Sequence, residues 1–347
     1  MKPEPKPLFL ERMQKLLPNK KDFQSYLDIL KILPVRSIRC NKLKISPQEL
    51  KEKLEDKGWK IKQPWKDYPE VMIVENDLEP GELGRALEHL LGYYYIQELA
   101  SMLPVIAIQP EKGETILDLC SAPGSKTTQL ASEMQNSGLI IANEVSMGRL
   151  KILASNLERC GVTNTIISRK DGVALCNRIN KYMRFPSSDV KKSPTGTERE
   201  AYKRNRKVSF EFKFDKILVD APCSGEGTLR SSPKTYVIWN IKTIQNLPRI
   251  QKQLVLSAFE ILKSGGELIY STCTHAPEEN EGVVDAVLQE LGDKIKLEKI
   301  SLPIKFREGI TSFENKKYSN EVKKCARIYP QDNNTEGFFI AKFKKLK

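Results

Sequence analysis

Two short apolar runs each deliver a cysteine where they stop. Phe214-Asp215-Lys216-Ile217-Leu218-Val219-Asp220 runs into Ala221-Pro222-Cys223-Ser224-Gly225-Glu226-Gly227, and Leu268-Ile269-Tyr270-Ser271-Thr272 runs into Cys273-Thr274. Runs of this kind form buried parallel strands, and ligands of open α/β sheets sit outside the carboxyl ends of the strands. Cys223, Cys273 and Asp220 are therefore expected around one pocket. A thiolate is the nucleophile needed to add to carbon 6 of a cytosine, which makes carbon 5 enamine-like enough to accept a methyl group. That adduct also needs an acid at ring nitrogen 3, and a base must later remove the carbon 5 proton. Cys273, Cys223 and Asp220 can supply thiol, base and acid, although the residues alone do not order the two cysteines. A buried cysteine is more commonly a small hydrophobe; the strand-end positions of Cys120, Cys223 and Cys273 are what favour chemistry. Lys126 is the cation placed to balance Asp220 or to favour a thiolate, since an unperturbed thiol of pKa about 8.5 is only slightly ionised at neutral pH.

The elements that must position these groups are legible in the pattern. From Gly113 the chain repeats strand, turn and helix: strands at Thr115–Leu119, Gly138–Ala142, Thr165–Ser168, Lys216–Val219 and Glu267–Ser271, and helices ending near Gln135 and spanning Met147–Cys160, Thr243–Leu262 and Glu278–Leu291. Strand-like segments near Lys294–Ile300 and Gly337–Phe343 follow. This alternation predicts an α/β fold with a parallel, doubly wound sheet. A dinucleotide would ask for Gly-x-Gly-x-x-Gly after the first strand. The turn here, Cys120-Ser121-Ala122-Pro123-Gly124-Ser125-Lys126, has one glycine, so a nucleoside without a pyrophosphate is expected, which points to S-adenosylmethionine. Glu144 after the second strand is placed for a ribose diol, Arg149 for Glu144 or the cofactor, and Asp171 after the third strand for an adenine amino group. An acid after a strand often only caps a helix; the turn after the first strand, Glu144 and Asp171 together put three features in register on successive strands, which is better evidence.

The chain has 347 residues, a formal net charge of +13 and a pI near 9.2. That length suits a large sheet domain with a smaller module, read as residues 1–108 and 109–347. The basic excess lies in residues 1–60, 176–213 and 294–347, while the motif-bearing remainder is acidic. Added surfaces that meet a polyanion explain this better than an evenly solvated lysine coat. Residues 1–34 carry apolar residues at helical spacing, and Val35–Asn41 reads as a strand. Ser46-Pro47-Gln48-Glu49 is a capping box that opens a helix closed by Gly58, and Trp59–Val74 reads as short strands. This small α/β module, with basic residues on its strands, is expected to contact RNA. The adjacent tyrosines Tyr93, Tyr94 and Tyr95 suit an anchor between two domains, or the pocket rim. Ser187–Arg206, inside the basic insertion 176–213, is long for a compact domain and is read as either a disordered loop or a substrate-gripping arm. Seven cysteines without Cys-x-x-Cys and only two histidines, His89 and His275, argue against a metal site. No apolar run approaches the roughly 18 residues of a membrane span, and the start lacks a signal-peptide core. A cytoplasmic protein with reduced thiols is expected, with no membrane partner.

At this point the motifs are recognisable. Asp118–Thr128, Asp220–Gly227 and Tyr270–Thr274, with Arg39-Cys40-Asn41 and Gly337-Phe338-Phe339-Ile340-Ala341, resemble the RNA cytosine-5 methyltransferases of the Nop/Sun (RsmB-like) family. The resemblance covers the chain from about Arg36 onward. It implies a class I methyltransferase (Rossmann-like) fold with Cys273 as nucleophile and Cys223 assisting product release. It also implies that Cys120, Ser121, Ala122, Pro123, Gly124, Ser125, Lys126, Glu144, Arg149, Asp171 and Asp220 surround S-adenosylmethionine, with Lys126 and Asp220 facing the target base. Two departures stand out: Glu144 replaces the aspartate common at that position, and the 176–213 insertion is longer than in compact members. The short architecture looks like archaeal members acting on tRNA, so tRNA is the first expected substrate and ribosomal RNA the second, with no DNA partner and a monomeric state. Two other readings are a non-catalytic RNA-binding assembly factor and a methyltransferase for protein or another nitrogen nucleophile; the latter would not need two thiols.

Overall fold

A computed structural model describes residues 4–184, 212–232 and 234–347. The N-terminal amphipathic lead is two helices, Pro7–Leu16 and Lys20–Ile29, the second capped by Asn19, whose side chain accepts from the Lys21 and Asp22 amides. Their apolar faces do not join the small module. Phe9, Met13, Leu17, Tyr26 and Leu30 pack instead with Leu229, Tyr236, Trp239, Ala276 and Tyr329, so the lead covers the segments that follow the two cysteines. Ion pairs at 2.8 Å (Arg12–Glu278) and 2.5 Å (Arg307–Asp22) tie it down.

Strands β1 (Arg36–Cys40), β2 (Ile61–Lys62), β3 (Val71–Val74) and β4 (Tyr94–Ile96) make an antiparallel sheet in the order β2-β3-β1-β4. The helix Pro47–Glu55 lies over its own core of Ile38, Leu50, Leu54, Trp59 and Met72, and the predicted capping box between Ser46 and Glu49 is present. The strand arginines expected to face RNA turn inward. The Arg36 guanidinium donates to the Asn76 and Leu78 carbonyls. Arg39 is buried and donates to Ser125 O and Thr128 Oγ1, both at 2.8 Å, and to Gln97. A buried cation needs such partners, and these also fasten the module to the turn carrying Lys126.

The large sheet contains β5 (Thr115–Asp118), β6 (Leu139–Asn143), β7 (Thr165–Ser168), β8 (Phe214–Asp220) and β9 (Leu262–Thr272), all parallel, in the order β9-β8-β5-β6-β7. Beyond β9 the sheet turns antiparallel. Strand β15 (Phe338–Lys345) pairs with β9, β10 (Ile295–Glu298) and β14 (Ala326–Ile328) pair with β15, and β11 (Arg307–Glu308) closes that edge; β12 (Ser312–Phe313) and β13 (Lys316–Lys317) form a separate ribbon. One face packs on the helices Ile241–Glu260 and Glu281–Leu291, through Leu254, Val255, Phe259, Val283 and Val287. The other face packs on the helix Leu99–Ile108, of which nine residues are buried. The predicted insertion does not begin at residue 176, because the helix Gly172–Arg184 runs through that point with Leu175 and Cys176 buried. Residues 185–211, with Ser187–Arg206, lie outside the described residues.

Candidate active site

Strands β8 and β9 are hydrogen-bonded neighbours with Asp220 opposite Ser271. The two chains therefore leave the sheet side by side, and three residues past Asp220 and two past Ser271 the sulfurs meet. Cys223 Sγ and Cys273 Sγ lie 3.1 Å apart and share a hydrogen bond, and the Cys273 amide donates to Cys223 Sγ at 3.3 Å. Both cysteines are half-buried, whereas Cys40, Cys160, Cys176 and Cys325 are buried. The hydrogen bond with Cys273 pushes the Cys223 thiol well above its usual range, and burial adds to this. Both effects favour the protonated form of Cys223.

The cysteine segments pack too closely to tolerate side chains. Gly227 donates to Cys273 O at 2.8 Å, Gly337 donates to Gly227 O at 2.9 Å, and a Cβ on Gly227 would stand 2.2 Å from Gly337 O. Side chains continue the lock. Ser224 Oγ and Thr274 Oγ1 are 2.8 Å apart, Thr274 donates to Glu226 at 3.3 Å, and Trp239 Nε1 donates to the same carboxyl at 2.7 Å.

Asp220 ends β8 with both oxygens engaged, accepting from Ser271 Oγ at 2.7 Å and pairing with Lys126 Nζ at 2.8 Å. Lys126 is buried in the first turn of the helix Ser125–Glu133, donates to Ser101 Oγ at 3.0 Å and lies over the Phe338 ring. Lys126 therefore pairs with Asp220, and no hydrogen bond or ion pair links it to either thiol.

A cavity of about 390 Å³ opens beside this pair. Of the residues singled out by sequence, Cys120, Ser121, Ala122, Pro123, Ser125, Lys126, Arg149 and Asp220 line it. Gly124 makes the turn from behind the lining, at φ +103°, where a Cβ would press on Leu153 at 3.0 Å. Burial pushes the Cys120 thiol far up, so it serves as a wall. Glu144 is buried outside the lining, accepting from the Ser146 amide at 2.8 Å and pairing with Arg149 at 3.3 Å. Asp171 also stands outside the lining: its Oδ1 accepts from the Ala174 amide at 2.9 Å, so it caps the helix Gly172–Arg184.

Sequence reasoning missed Asp118, Glu98, Gln97 and Ser101 as lining residues and left Tyr95 between anchor and rim. Tyr95 does both, since its ring lies under the Arg39 and Arg159 guanidiniums while it lines the cavity. Glu98 caps the helix Leu99–Ile108 by accepting from the Ala100 and Ser101 amides, and burial raises its carboxyl to about 7. The Asp118 carboxyl is also raised to about 7 by burial; Oδ2 accepts from Thr127 at 2.7 Å while the buried Oδ1 has no partner. The signal for Asp118 was its place as the last residue of β5, two positions before the cysteine that took the attention.

Comparison with known proteins gives the family. Residues 105–344 match the family described as 16S rRNA methyltransferase RsmB/F, and residues 6–99 match the N-terminal domain of 16S rRNA methyltransferase RsmF. The chain belongs to the RsmB/F family of RNA cytosine-5 methyltransferases. Its relatives include a tRNA (cytosine(49)-C(5))-methyltransferase of Pyrococcus abyssi, 40% identical over 97% of this chain and 95% of that protein. Ribosomal RNA small subunit methyltransferase F of Vibrio cholerae is 35% identical over 99% of this chain, which spans only 64% of that longer protein. A methyltransferase homologue from Pyrococcus horikoshii superposes with a TM-score of 0.76 at 31% identity, covering 98% of this chain and 95% of its own. NSun6 from the same organism, solved with SFG, superposes with a TM-score of 0.75 at 26% identity, covering 97% and 98%.

As an RsmB/F enzyme the chain uses S-adenosylmethionine, and the cavity fits that molecule. The ligand carries ammonium and sulfonium charges. The lining offers the carboxyls of Asp118, Glu98 and Asp220, and the unpartnered Asp118 Oδ1 is an acceptor awaiting a donor. Among the described residues no cluster suits a metal ion, and no helix is long and apolar enough to cross a membrane.

Proposed function

We propose that the enzyme methylates carbon 5 of a cytosine in tRNA through a covalent adduct on Cys273. The contact that carries this reading is the 3.1 Å approach of the Cys223 and Cys273 sulfurs beside the Lys126–Asp220 pair. Transfer to a nitrogen would need no thiol pair, and a binding-only protein would have no use for one. S-adenosylmethionine supplies the methyl group from its sulfonium. The Cys273 thiolate adds to carbon 6, and Asp220, held by Lys126 and Ser271, stabilises the adduct at the ring nitrogen 3 edge. Once its sulfur is bonded to carbon, Cys273 no longer opposes ionisation of Cys223. The Cys223 proton passes to water, and its thiolate takes the proton from carbon 5. The carbon 6–sulfur bond then breaks and its electron pair returns to Cys273.

The choice of tRNA is supported by likeness: the chain is 40% identical to the archaeal tRNA enzyme and 35% identical to the ribosomal RNA enzyme of Vibrio cholerae. We take it to act as a monomer in the cytoplasm, with residues 1–108 presenting RNA to residues 109–347, and with Glu144 and Asp171 reaching the cofactor from behind the cavity wall. Incubating the protein with S-adenosylmethionine and separate pools of unmodified tRNA and small-subunit ribosomal RNA, followed by bisulfite sequencing, tests the substrate. A single protected cytosine in tRNA is expected; protection confined to ribosomal RNA reverses the assignment.

A further inference from the structure

The backbone on either side of Cys223 is held by two buried side chains from elsewhere in the fold. Glu279 Oε2 accepts from the Ser224 amide at 3.0 Å and from Gln251 Nε2 at 2.8 Å, and Gln251 Nε2 also donates to Pro222 O at 2.9 Å. One carboxylate and one carboxamide thus grip residues 222 and 224 and leave only the Cys223 side chain free. Gln251 comes from the helix Ile241–Glu260, and Glu279 from the link between Cys273 and the helix Glu281–Leu291. The Glu279 carbonyl accepts from Tyr270 OH, on β9, at 2.5 Å. Glu279 is therefore fixed to the strand that delivers Cys273 while its carboxyl holds the segment that delivers Cys223.

Stability alone does not explain such a group. Glu279 is fully buried, forms no ion pair among the described residues, and its Oε1 has no hydrogen-bond partner. Burial lifts its carboxyl to about 7. A buried, half-satisfied carboxyl is costly, and such groups concentrate at functional sites.

We propose that Glu279, acting through Gln251 and the Ser224 amide, is a positioning residue that holds the Cys223 thiol against Cys273 for the release step. This rests on the reading that Cys223 removes the carbon 5 proton. Misplacing a reacting group by an ångström costs roughly 100-fold in rate, and the loss should fall on release, because Cys273 is carried by β9 itself. Single-turnover and multiple-turnover methylation of tRNA by the full chain, with a denaturing gel for covalent RNA–protein adducts, separates the steps. Glu279→Ala is expected to keep near-normal single-turnover transfer, lose roughly 100-fold in multiple turnover and accumulate the same adduct as is expected with Cys223→Ala. Glu279→Gln keeps the accepting oxygen, is the variant least disturbing to folding, and should restore most of the turnover and clear the adduct. The proposal is overturned if Glu279→Ala lowers both rates equally without adduct while Cys223→Ala traps it, or if Glu279→Gln traps as much as Glu279→Ala. Absence of adduct with Cys223→Ala sinks the release reading and this proposal with it.

Discussion

At the scale of single residues the site separates its acids by environment. Asp220 is held by a lysine and a serine, whereas Asp118 has only Thr127, and burial raises its carboxyl to about 7 against about 4 for an unfolded aspartate. The folded chain binds this proton more tightly than the unfolded chain, so the Asp118 contribution to stability is greatest at low pH and declines as pH rises from about 4 to about 7. A cationic ligand on Oδ1 prefers the ionised form, so S-adenosylmethionine affinity should rise as pH climbs through about 7. Calorimetric titrations from about pH 6 to about pH 8 should show this rise in the parent and a shallower one in Asp118→Asn, where Glu98 still titrates near 7; an equally steep rise in the variant would remove Asp118 from cofactor binding. Cys223 and Cys273 were not distinguishable from the sequence alone, because both follow apolar strands. The asymmetry lies in contacts between residues 50 positions apart, including the Cys273 amide bonded to Cys223 Sγ.

At the scale of elements, the parallel strands and the helices Met147–Cys160 and Leu99–Ile108 were legible from apolar runs and caps. The antiparallel edge β11-β14 was not, since two- and three-residue strands leave no periodicity to read. The destination of the N-terminal helices was hidden as well: an apolar stripe announces burial but not its partner. Phe9 packs edge-on against Trp239 with ring centroids 5.7 Å apart, and Trp239 holds the Glu226 carboxyl that accepts from Thr274. Phe9→Ala is expected to cost about 3 kcal/mol of stability in urea unfolding and to lower methylation at temperatures where the variant is still folded. A loss of RNA affinity with stability and turnover intact would instead assign this helix to substrate contact.

On the scale of the whole molecule, the net charge of +13 was the first pointer to a polyanion, but charge does not say which cations are free. Arg36, Arg39, Arg230 and Arg327 direct their guanidiniums to protein carbonyls, side chains or carboxylates; Arg36 ties the small module to itself, and Arg39 fastens it to the large domain. Exposed cations, lysines and also Arg178 and Arg249, remain for RNA contact. If these meet six or more phosphates, tRNA affinity should drop by about 10³-fold or more between roughly 50 and 200 mM salt. Deleting Ser187–Arg206, outside the described residues but rich in basic residues, should flatten that dependence; an unchanged slope would exclude the segment from phosphate contact. Domain class and cofactor class were readable at this scale because three motifs arrive in order at strand ends, whereas the RNA itself is chosen by surfaces that no local pattern encodes.

The covalent role of Cys273 is tested most directly by mass spectrometry of the Cys223→Ala enzyme after reaction with tRNA and S-adenosylmethionine, alongside methylation assays of Cys273→Ser. The expected result is a nucleotide-modified peptide containing Cys273, with Cys273→Ser losing at least roughly 10³-fold in methylation while still binding tRNA. Methyl incorporation by Cys273→Ser at the parent rate, or a nucleotide found on Cys120 instead, would contradict it.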